Sequence, residues 1–422
     1  MSALSIINAR IIDPATERDE MGTLIIEKGR IKDFGGDIAP EGDIIDAGGK
    51  ILAPGLVDMR VSTGEPGRES KETLASAGRA AVAGGITSIV VTPETKPVLD
   101  DVSLVEYIKR RGKKKSLARV YLSGALTQNL DGQNMTELGL MSNAGAVMFS
   151  NGKDPIADSL LMRRMLSYSS AFNALIANRP VDPSLSQGSC AHESDLTSRL
   201  GLVGTPSTAE RIMAERDVAL AELTGGRLLI DLISCAETVD VITRAKSRDL
   251  DVACSVSINH LALNEIDIGD YRTFAKLDPP LRTEEDRLAL LEGVNSGVID
   301  VIVSDHDPRP AGEKRLPFQD AASGAVGLEI LLAAGLSQVV DGTLDLMAFL
   351  KAVTCNPADL LGLNAGRIAV GAKADLVIID PHAPWVCQSE DLRSRSKNTP
   401  FDGRRLTGRA VMTFVGGDRV FG

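Results

Sequence analysis

The sequence predicts an α/β fold in which a (β/α)8 TIM barrel is joined to a small β domain. The chain has 422 residues, which suits a barrel of about 250 residues or more with a second, smaller domain. The middle of the chain alternates helical and strand-like segments, whereas both ends are rich in short strands. A hydrophobic share of 43% with 24% charged residues is typical of a globular chain with a sizeable core.

Both chain ends consist of short apolar or alternating runs that are separated by turn residues. Thr23–Glu27 is such a run near the N-terminus, and Ala410–Val415 is one near the C-terminus. Runs of this length between glycines and other turn residues are typical of β-strands. We therefore expect residues 1–53 and 365–422 to form one composite β-sandwich domain, and residues 54–364 to form the barrel.

Helices and apolar strands alternate in the middle of the chain. Thr73–Ala83 is an alanine-rich helical stretch, and the strand-like Ile86–Thr92 follows it. Ser207-Thr208-Ala209-Glu210 matches a capping box, in which the Ser and Glu side chains bind each other's free backbone N–H groups. Strands that are apolar on both faces indicate a parallel sheet covered by helices. A doubly wound sheet is the alternative, but the chain has no G-x-G-x-x-G opening.

The net charge and the cysteines limit which partners and which cellular compartment we expect for this chain. The net charge of −11 disfavours nucleic acid and anionic membranes as partners. No apolar run reaches the roughly 20 residues that a membrane span needs. The five cysteines have no metal or disulfide spacing, so free thiols in a reducing cytoplasm are expected.

One segment at the start of the predicted barrel resembles a known family. Ala53-Pro54-Gly55-Leu56-Val57-Asp58-Met59 is similar to the first barrel strand of dihydroorotases and related cyclic amidohydrolases. Further motifs follow in the order of that family: Gly85-Ile86-Thr87, Pro279-Pro280-Leu281-Arg282, Ser304-Asp305-His306, Asn356-Pro357-Ala358 and Gly371-Ala372-Lys373-Ala374-Asp375-Leu376. The resemblance covers nearly the whole chain and implies a TIM barrel of the metal-dependent hydrolase type.

The chemistry that the resemblance implies is the opening or closing of a cyclic amide at the C-terminal face of the barrel. In the family a metal-held water is the nucleophile, because the metal lowers its pKa toward ~7. An aspartate at the end of the eighth strand moves the proton. The matching residue here is Asp305, which is retained.

The family's metal positions carry other residues in this chain. The resemblance places them at Arg60, Ser62, Asn151, Asn178 and Leu232. A guanidinium is cationic and would repel a metal ion, and amide or aliphatic side chains are poor ligands. The resemblance therefore predicts a chain without a cofactor, or with zinc if the enzyme is active after all.

The substrate positions are also changed. The resemblance places them at Gly64, Glu94, Asp278 and Arg309. The two acids would repel the family's anionic substrate. We expect Arg60 or Arg309 to form an ion pair with Asp305 or with one of these two acids.

Three functions follow from these changes. The first is a dihydroorotase-like protein of pyrimidine biosynthesis that is catalytically inactive and acts as structural partner of the aspartate carbamoyltransferase catalytic chain, in a homo- or hetero-oligomer. The resemblance implies this partner, because the family is known to pair with the preceding enzyme. The alternatives are an active dihydroorotase or other cyclic amidase with an atypical metal site, and a non-catalytic barrel that binds an anionic metabolite through Arg60 and Arg309.

Overall fold

The structure is a computed structural model that describes residues 3–422, so the first two residues of the predicted terminal domain lie outside it. The strands, in chain order, are β1 (Leu4–Asp13), β2 (Arg18–Glu27), β3 (Arg30–Gly35), β4 (Asp43–Asp46), β5 (Ile51–Pro54), β6 (Leu56–Val61), β7 (Ile86–Val91), β8 (Arg119–Ala125), β9 (Ala146–Ser150), β10 (Ile176–Asn178), β11 (Ala191–His192), β12 (Gly204–Thr205), β13 (Leu228–Ile233), β14 (Val252–Ser257), β15 (Val301–Val303), β16 (Leu376–Val386), β17 (Arg405–Val415) and β18 (Asp418–Phe421).

The α-helices are α1 (Leu74–Ala83), α2 (Val102–Lys115), α3 (Leu138–Ala144), α4 (Ser159–Ser170), α5 (Pro183–Ser186), α6 (Asp195–Arg199), α7 (Ser207–Thr224), α8 (Ala236–Lys246), α9 (Ile258–Ala262), α10 (Glu284–Asn295), α11 (Ala311–Lys314), α12 (Leu331–Val340), α13 (Leu346–Val353) and α14 (Cys355–Leu360). Among residues 3–422, none of the helices has the length and apolar character that crossing a membrane requires.

Eight parallel strands form the barrel. They neighbour one another in the order β6, β7, β8, β9, β10, β13, β14 and β15. The two ends of this sheet meet where Val61 forms a parallel bridge with His306 and the Ser62 N–H donates to the His306 carbonyl at 2.8 Å. The predicted TIM barrel is therefore confirmed, and the doubly wound alternative is wrong because the sheet curls back on itself.

The strands from the two chain ends pair into a second sheet. Its order is β18-β17-β16-β5-β1-β2-β3, and β4 pairs with β1. β5 and β16 join the N-terminal and C-terminal parts through an antiparallel register that includes Leu52 opposite Ile378. The sheet encloses its own buried apolar cluster, which includes Ile6, Leu24 and Phe414. The boundaries proposed at residues 53/54 and 364/365 stay a prediction.

Sequence signals for helix starts agree with the structure at one helix and disagree with it at another. Thr73 caps α1 in a capping box with Ser76. The capping box predicted at Ser207 is wrong, because no side chain caps α7. Glu210 instead accepts hydrogen bonds from the Ser234 N–H at 2.8 Å and the Cys235 N–H at 3.3 Å. Its carboxylate thus holds α7 against the carboxyl end of β13.

Candidate functional site

A buried arginine occupies the centre of the barrel mouth. Arg60 lies in β6 and is 5% exposed. Its Nε donates to Asp305 Oδ1 at 3.2 Å, and its Nη1 pairs with Asp231 Oδ2. The other Asp231 oxygen accepts from Ser255 Oγ at 2.8 Å. The ion pair predicted between Arg60 and Asp305 is confirmed, and Asp231 is a second carboxylate partner.

Burial and charge act against each other in this cluster of Arg60, Asp231 and Asp305. Burial raises the pKa of Asp305 to about 6, although the Arg60 guanidinium opposes this change. For Arg60, burial lowers the pKa, but the carboxylates of Asp231 and Asp305 outweigh it and the pKa is raised above its ordinary value. Arg60 therefore remains a cation, and it supplies positive charge next to Asp305, as a metal would.

A second group of charges surrounds Asp307. Its carboxylate pairs with Lys153 Nζ, and Arg309 Nη2 donates to Asp307 Oδ2 at 2.8 Å. Burial opposes ionisation, but the two cations lower the pKa of Asp307 to about 2. Arg309 also donates from Nε to the Ser323 carbonyl at 2.9 Å. Arg309 therefore does not take the partner expected from the sequence, because Asp307 lies only two residues away on the same loop.

The two acids at substrate positions are bound by the protein itself. Asp278 Oδ1 accepts from Arg179 Nη2 at 2.6 Å. Glu94 Oε1 accepts from the backbone N–H of Lys153 at 3.0 Å. Their charges are therefore held by internal partners.

The two asparagines at metal positions also serve the scaffold. Asn178 Oδ1 accepts from the Ile156 N–H at 2.9 Å, and its Nδ2 donates to Asp217 Oδ2 at 2.7 Å. Asn151 Oδ1 accepts from Thr127 Oγ1 at 2.7 Å. Each amide oxygen thus has an internal donor.

Backbone geometry at the mouth is unusual even where the side chain is apolar. Leu232 is fully buried and has a φ of 63°, and Asp305 has a φ of 50°. Positive φ is uncommon for residues other than glycine and costs on the order of 1 kcal/mol or more. The Leu232 N–H donates to Ser255 Oγ at 2.9 Å. Gly64 also has positive φ, 70°.

Four charged residues of this site were not assigned from the sequence as ion-pair partners: Lys153, Arg179, Asp231 and Asp307. Asp231 had a usable signal, because it is the one charged residue in the otherwise apolar strand β13. Arg179 directly follows the end of β10, which places it at the mouth. Asp231 lies within β13, and the other three residues follow three other barrel strands.

The donor set can be compared with what a zinc ion requires. Structural and catalytic zinc sites use imidazoles, thiolates and carboxylates. The matching positions here hold a guanidinium, a hydroxyl, two amides and an aliphatic side chain. Over the described range 3–422, no group of three or more His, Cys, Asp or Glu side chains is arranged to hold a metal ion. The side chains at these positions do not fit zinc.

Two family models match the chain. The model described as Dihydro-orotase-like matches residues 49–238. The Amidohydrolase family model matches residues 207–420. Together they extend from the start of the barrel to the last strands of the terminal sheet.

Named relatives match over nearly the full length. The dihydroorotase of Pelobacter propionicus is 40% identical and covers 99% of both chains. The dihydroorotase of Anaeromyxobacter sp. is 41% identical, over 98% of this chain and 96% of its own. That of Wolbachia sp. subsp. Brugia malayi is 38% identical, over 98% and 95%.

Solved structures share the fold. The L-hydantoinase of Arthrobacter aurescens superimposes with a TM-score of 0.91 at 25% identity, over 100% of this chain and 96% of its own. The dihydropyrimidinase of Brevibacillus agri gives a TM-score of 0.85 at 22% identity, over 99% and 95%. The second likeness, at its lower identity, concerns the fold alone.

The comparisons also correct one prediction. The expectation that no cofactor is involved is wrong at the level of the family, because the amidohydrolases of the dihydroorotase type that this chain matches are metal-dependent. At the family's metal positions, this chain therefore carries side chains that differ from the usual metal ligands. By full-length identity and by the match to its model, this chain belongs to the amidohydrolase family, in the dihydroorotase-like group.

Proposed function

We propose that this chain is a dihydroorotase-like protein of pyrimidine biosynthesis that does not turn over dihydroorotate and acts as a structural partner of the aspartate carbamoyltransferase catalytic chain. One observation carries the first half of the proposal. Arg60, at a position that the resemblance assigns to a metal ligand, lies between Asp231 and Asp305. A guanidinium offers hydrogen-bond donors and no free lone pair, so this side chain cannot help to hold the metal that activates the water.

Proton transfer to Asp305 would also disturb a buried ion pair. Asp305 is only 6% exposed, and Arg60 Nε already donates to its Oδ1. Accepting a proton would weaken this contact and leave Arg60 with a single charged partner, which is costly in a buried site.

The partner role is supported by what the chain retains. Both the barrel and the terminal sheet are complete, so the fold is still needed although internal ion pairs occupy its former metal positions. An inherited interface with the preceding enzyme of the pathway is the simplest remaining use of the fold. A stable interface of this kind would bury on the order of 1,600 Å².

An active dihydroorotase or other cyclic amidase is the second candidate. The full-length similarity to proteins named dihydroorotase favours it. Asp305 is retained, and its pKa of about 6 is in the range that suits general-base catalysis near neutral pH. This candidate needs a catalytic arrangement in which Arg60 moves away from Asp305.

One experiment with two readouts tests the proposal. The chain is co-expressed with the aspartate carbamoyltransferase catalytic chain of the same organism in zinc-supplemented medium. We expect the two chains to co-elute, transferase activity or stability to depend on this chain, and dihydroorotate turnover to be the same for the wild type and Asp305→Ala. Turnover that Asp305→Ala abolishes would establish the second candidate. Separate elution with unchanged transferase activity and stability would rule out the partner role.

A further inference from the structure

A cavity of about 310 Å³ lies between the barrel helices α1 and α12 and the strands β16, β17 and β18 of the terminal sheet. Its volume is at the lower end of the range of small-molecule sites, which often lie where two parts of a fold meet. Its lining includes Ala83 and Gly84, which come just before β7, whereas the barrel mouth lies at the other ends of the strands. None of the ion-pair residues of the mouth lines this cavity. It is therefore separate from the candidate site described above.

The most buried part of the lining is apolar. Leu332 and Ala333 contribute to it from α12, and Ala410 contributes from β17; all three are buried. The half-buried rings of Trp385 and Phe421 extend this apolar surface toward the solvent. A ligand with an apolar side chain would lose contact with water here, and its binding would be favoured by the hydrophobic effect.

Two of the charges in the lining already compensate each other. Glu329 Oε2 accepts from Arg393 Nη1 at 3.2 Å, and Glu329 Oε1 accepts from the Ser394 N–H at 3.4 Å. The Arg393 guanidinium also lies over the Phe421 ring, 4.9 Å from the ring centre. This pair is therefore engaged within the protein, and the charge that a ligand meets is set by the other residues of the lining.

The lining also contains one free charge of each sign. Arg409 and Asp391 are exposed, and across residues 3–422 neither side chain has an ion-pair or hydrogen-bond partner. The Arg409 guanidinium lies 5.6 Å from the centre of the Trp385 ring, which places it beside the apolar surface. Asp391 would repel a simple anion and Arg409 would repel a simple cation, whereas a zwitterion can be attracted by both.

We propose that this cavity binds a zwitterionic amino acid with an apolar side chain. The carboxylate of the ligand pairs with Arg409, its ammonium group pairs with Asp391, and its side chain packs on the apolar surface around Leu332. Binding requires neither turnover nor a partner chain, so this inference and the proposed function can fail separately.

Trp385 is the only tryptophan of the chain, so its fluorescence reports on the cavity directly. The full chain is titrated with L-leucine, with N-acetyl-leucine, which lacks the ammonium group, with leucinamide, which lacks the carboxylate, and with glycine, which lacks the side chain. Isothermal titration with the same probes measures any binding that leaves the fluorescence unchanged. We expect saturable binding of leucine. Either charge-deficient analogue should bind about threefold or more weakly, and glycine about tenfold or more weakly, because it buries no side chain.

Variants of the two free charges test the same contacts from the side of the protein. Arg409→Gln and Asp391→Asn should each weaken leucine binding by about threefold to fivefold, because each removes one exposed charge contact. Arg405→Gln is the matched control for the arginine and Glu390→Gln for the acid, since both residues are exposed and lie outside the cavity lining. Neither control should change the affinity for leucine.

Several outcomes would overturn the proposal. One is the absence of saturable leucine binding in both measurements. Another is equal affinity for leucine and its two charge-deficient analogues, or an unchanged affinity for leucine in folded Arg409→Gln or Asp391→Asn. Tighter binding of N-acetyl-leucine than of leucine would indicate an anion site, and tighter binding of leucinamide would indicate a cation site; either result would also contradict a zwitterion site. The comparison of analogues uses the wild-type protein, so it does not depend on the folding of any variant.

Discussion

Most charged side chains of the terminal sheet are exposed or half-buried, whereas those of the barrel mouth fill its interior. In the terminal sheet Arg10 and Asp19 form a two-point ion pair, with distances of 2.8 and 2.6 Å, and their side chains are 42% and 38% exposed. At the mouth, the side chains of Arg60 and Asp305 are 7% and 8% exposed. The two regions thus use similar ion pairs in opposite environments.

This difference determines what each ion pair contributes to the free energy of unfolding. An exposed pair gains little, because water already solvates both partners and salt screens them. A buried pair is expensive to assemble and more expensive to break, because removing one partner leaves an uncompensated charge. Stability alone does not explain such a mouth, since apolar residues would fill it at lower cost. The charged residues of the mouth are better explained as replacements for polar and metal-binding residues of an inherited site.

The largest effect should come from breaking the buried cluster. Arg60→Ala leaves Asp231 and Asp305 without their shared cation and should lower the free energy of unfolding by ~3–5 kcal/mol. Arg10→Ala, the matched surface control, should cost about 0–1 kcal/mol. Urea unfolding of both variants measures the difference. Equal losses would show that the mouth is hydrated like the surface and would remove the contrast.

In a pH series, the contributions of the two regions to the free energy of unfolding should change in opposite directions. Asp58 is fully buried, its Oδ2 has no hydrogen-bond partner, and burial raises its pKa to about 6. The folded state therefore holds this proton more tightly than the unfolded chain does. The stability that this group contributes should fall, by up to about 3 kcal/mol, as the pH rises from about 4 through about 6. Asp58→Asn should lack this component in a comparison of unfolding free energies at pH 4 and 7.

The terminal sheet supplies the control of opposite sign. The hydrogen bond from Arg10 lowers the pKa of Asp19, although its partial burial acts in the other direction. Its contribution should be present above about pH 4 and should be lost on acidification through the lowered pKa. Asp19→Asn should therefore reduce the acid sensitivity of the protein. If both variants changed the pH dependence in the same direction, the assigned environments would be wrong.

The sequence predicts elements and single positions better than it predicts pairs of residues. The strand predicted at Ile86–Thr92 and the helix predicted at Thr73–Ala83 follow from local patterns, because apolar runs and alanine-rich stretches act over a few residues. Asp231 is 171 positions from Arg60, and only closure of the barrel brings the two side chains together. The same holds for Arg179 and Asp278, which are 99 positions apart. No local pattern indicates which of several acids a buried arginine will bind.

The smallest effect concerns backbone rather than charge, and it compares one glycine from each region. Gly64, at the mouth, has a φ of 70°, and a Cβ added there would lie 2.6 Å from the Arg68 carbonyl oxygen. Gly49, before β5, has a φ of 79°, and an added Cβ would meet nothing within 4 Å.

Alanine at either position incurs the cost of positive φ, about 1 kcal/mol. Only Gly64→Ala must also displace backbone that is tied by the 2.6 Å hydrogen bond from the Arg68 N–H to the Gly64 carbonyl. It should therefore destabilise the protein by roughly 1–2 kcal/mol more than Gly49→Ala. Urea unfolding of the two variants measures this difference. Equal destabilisation would mean that the loop after β6 yields easily, and that the mouth is held by its ion pairs and not by its backbone.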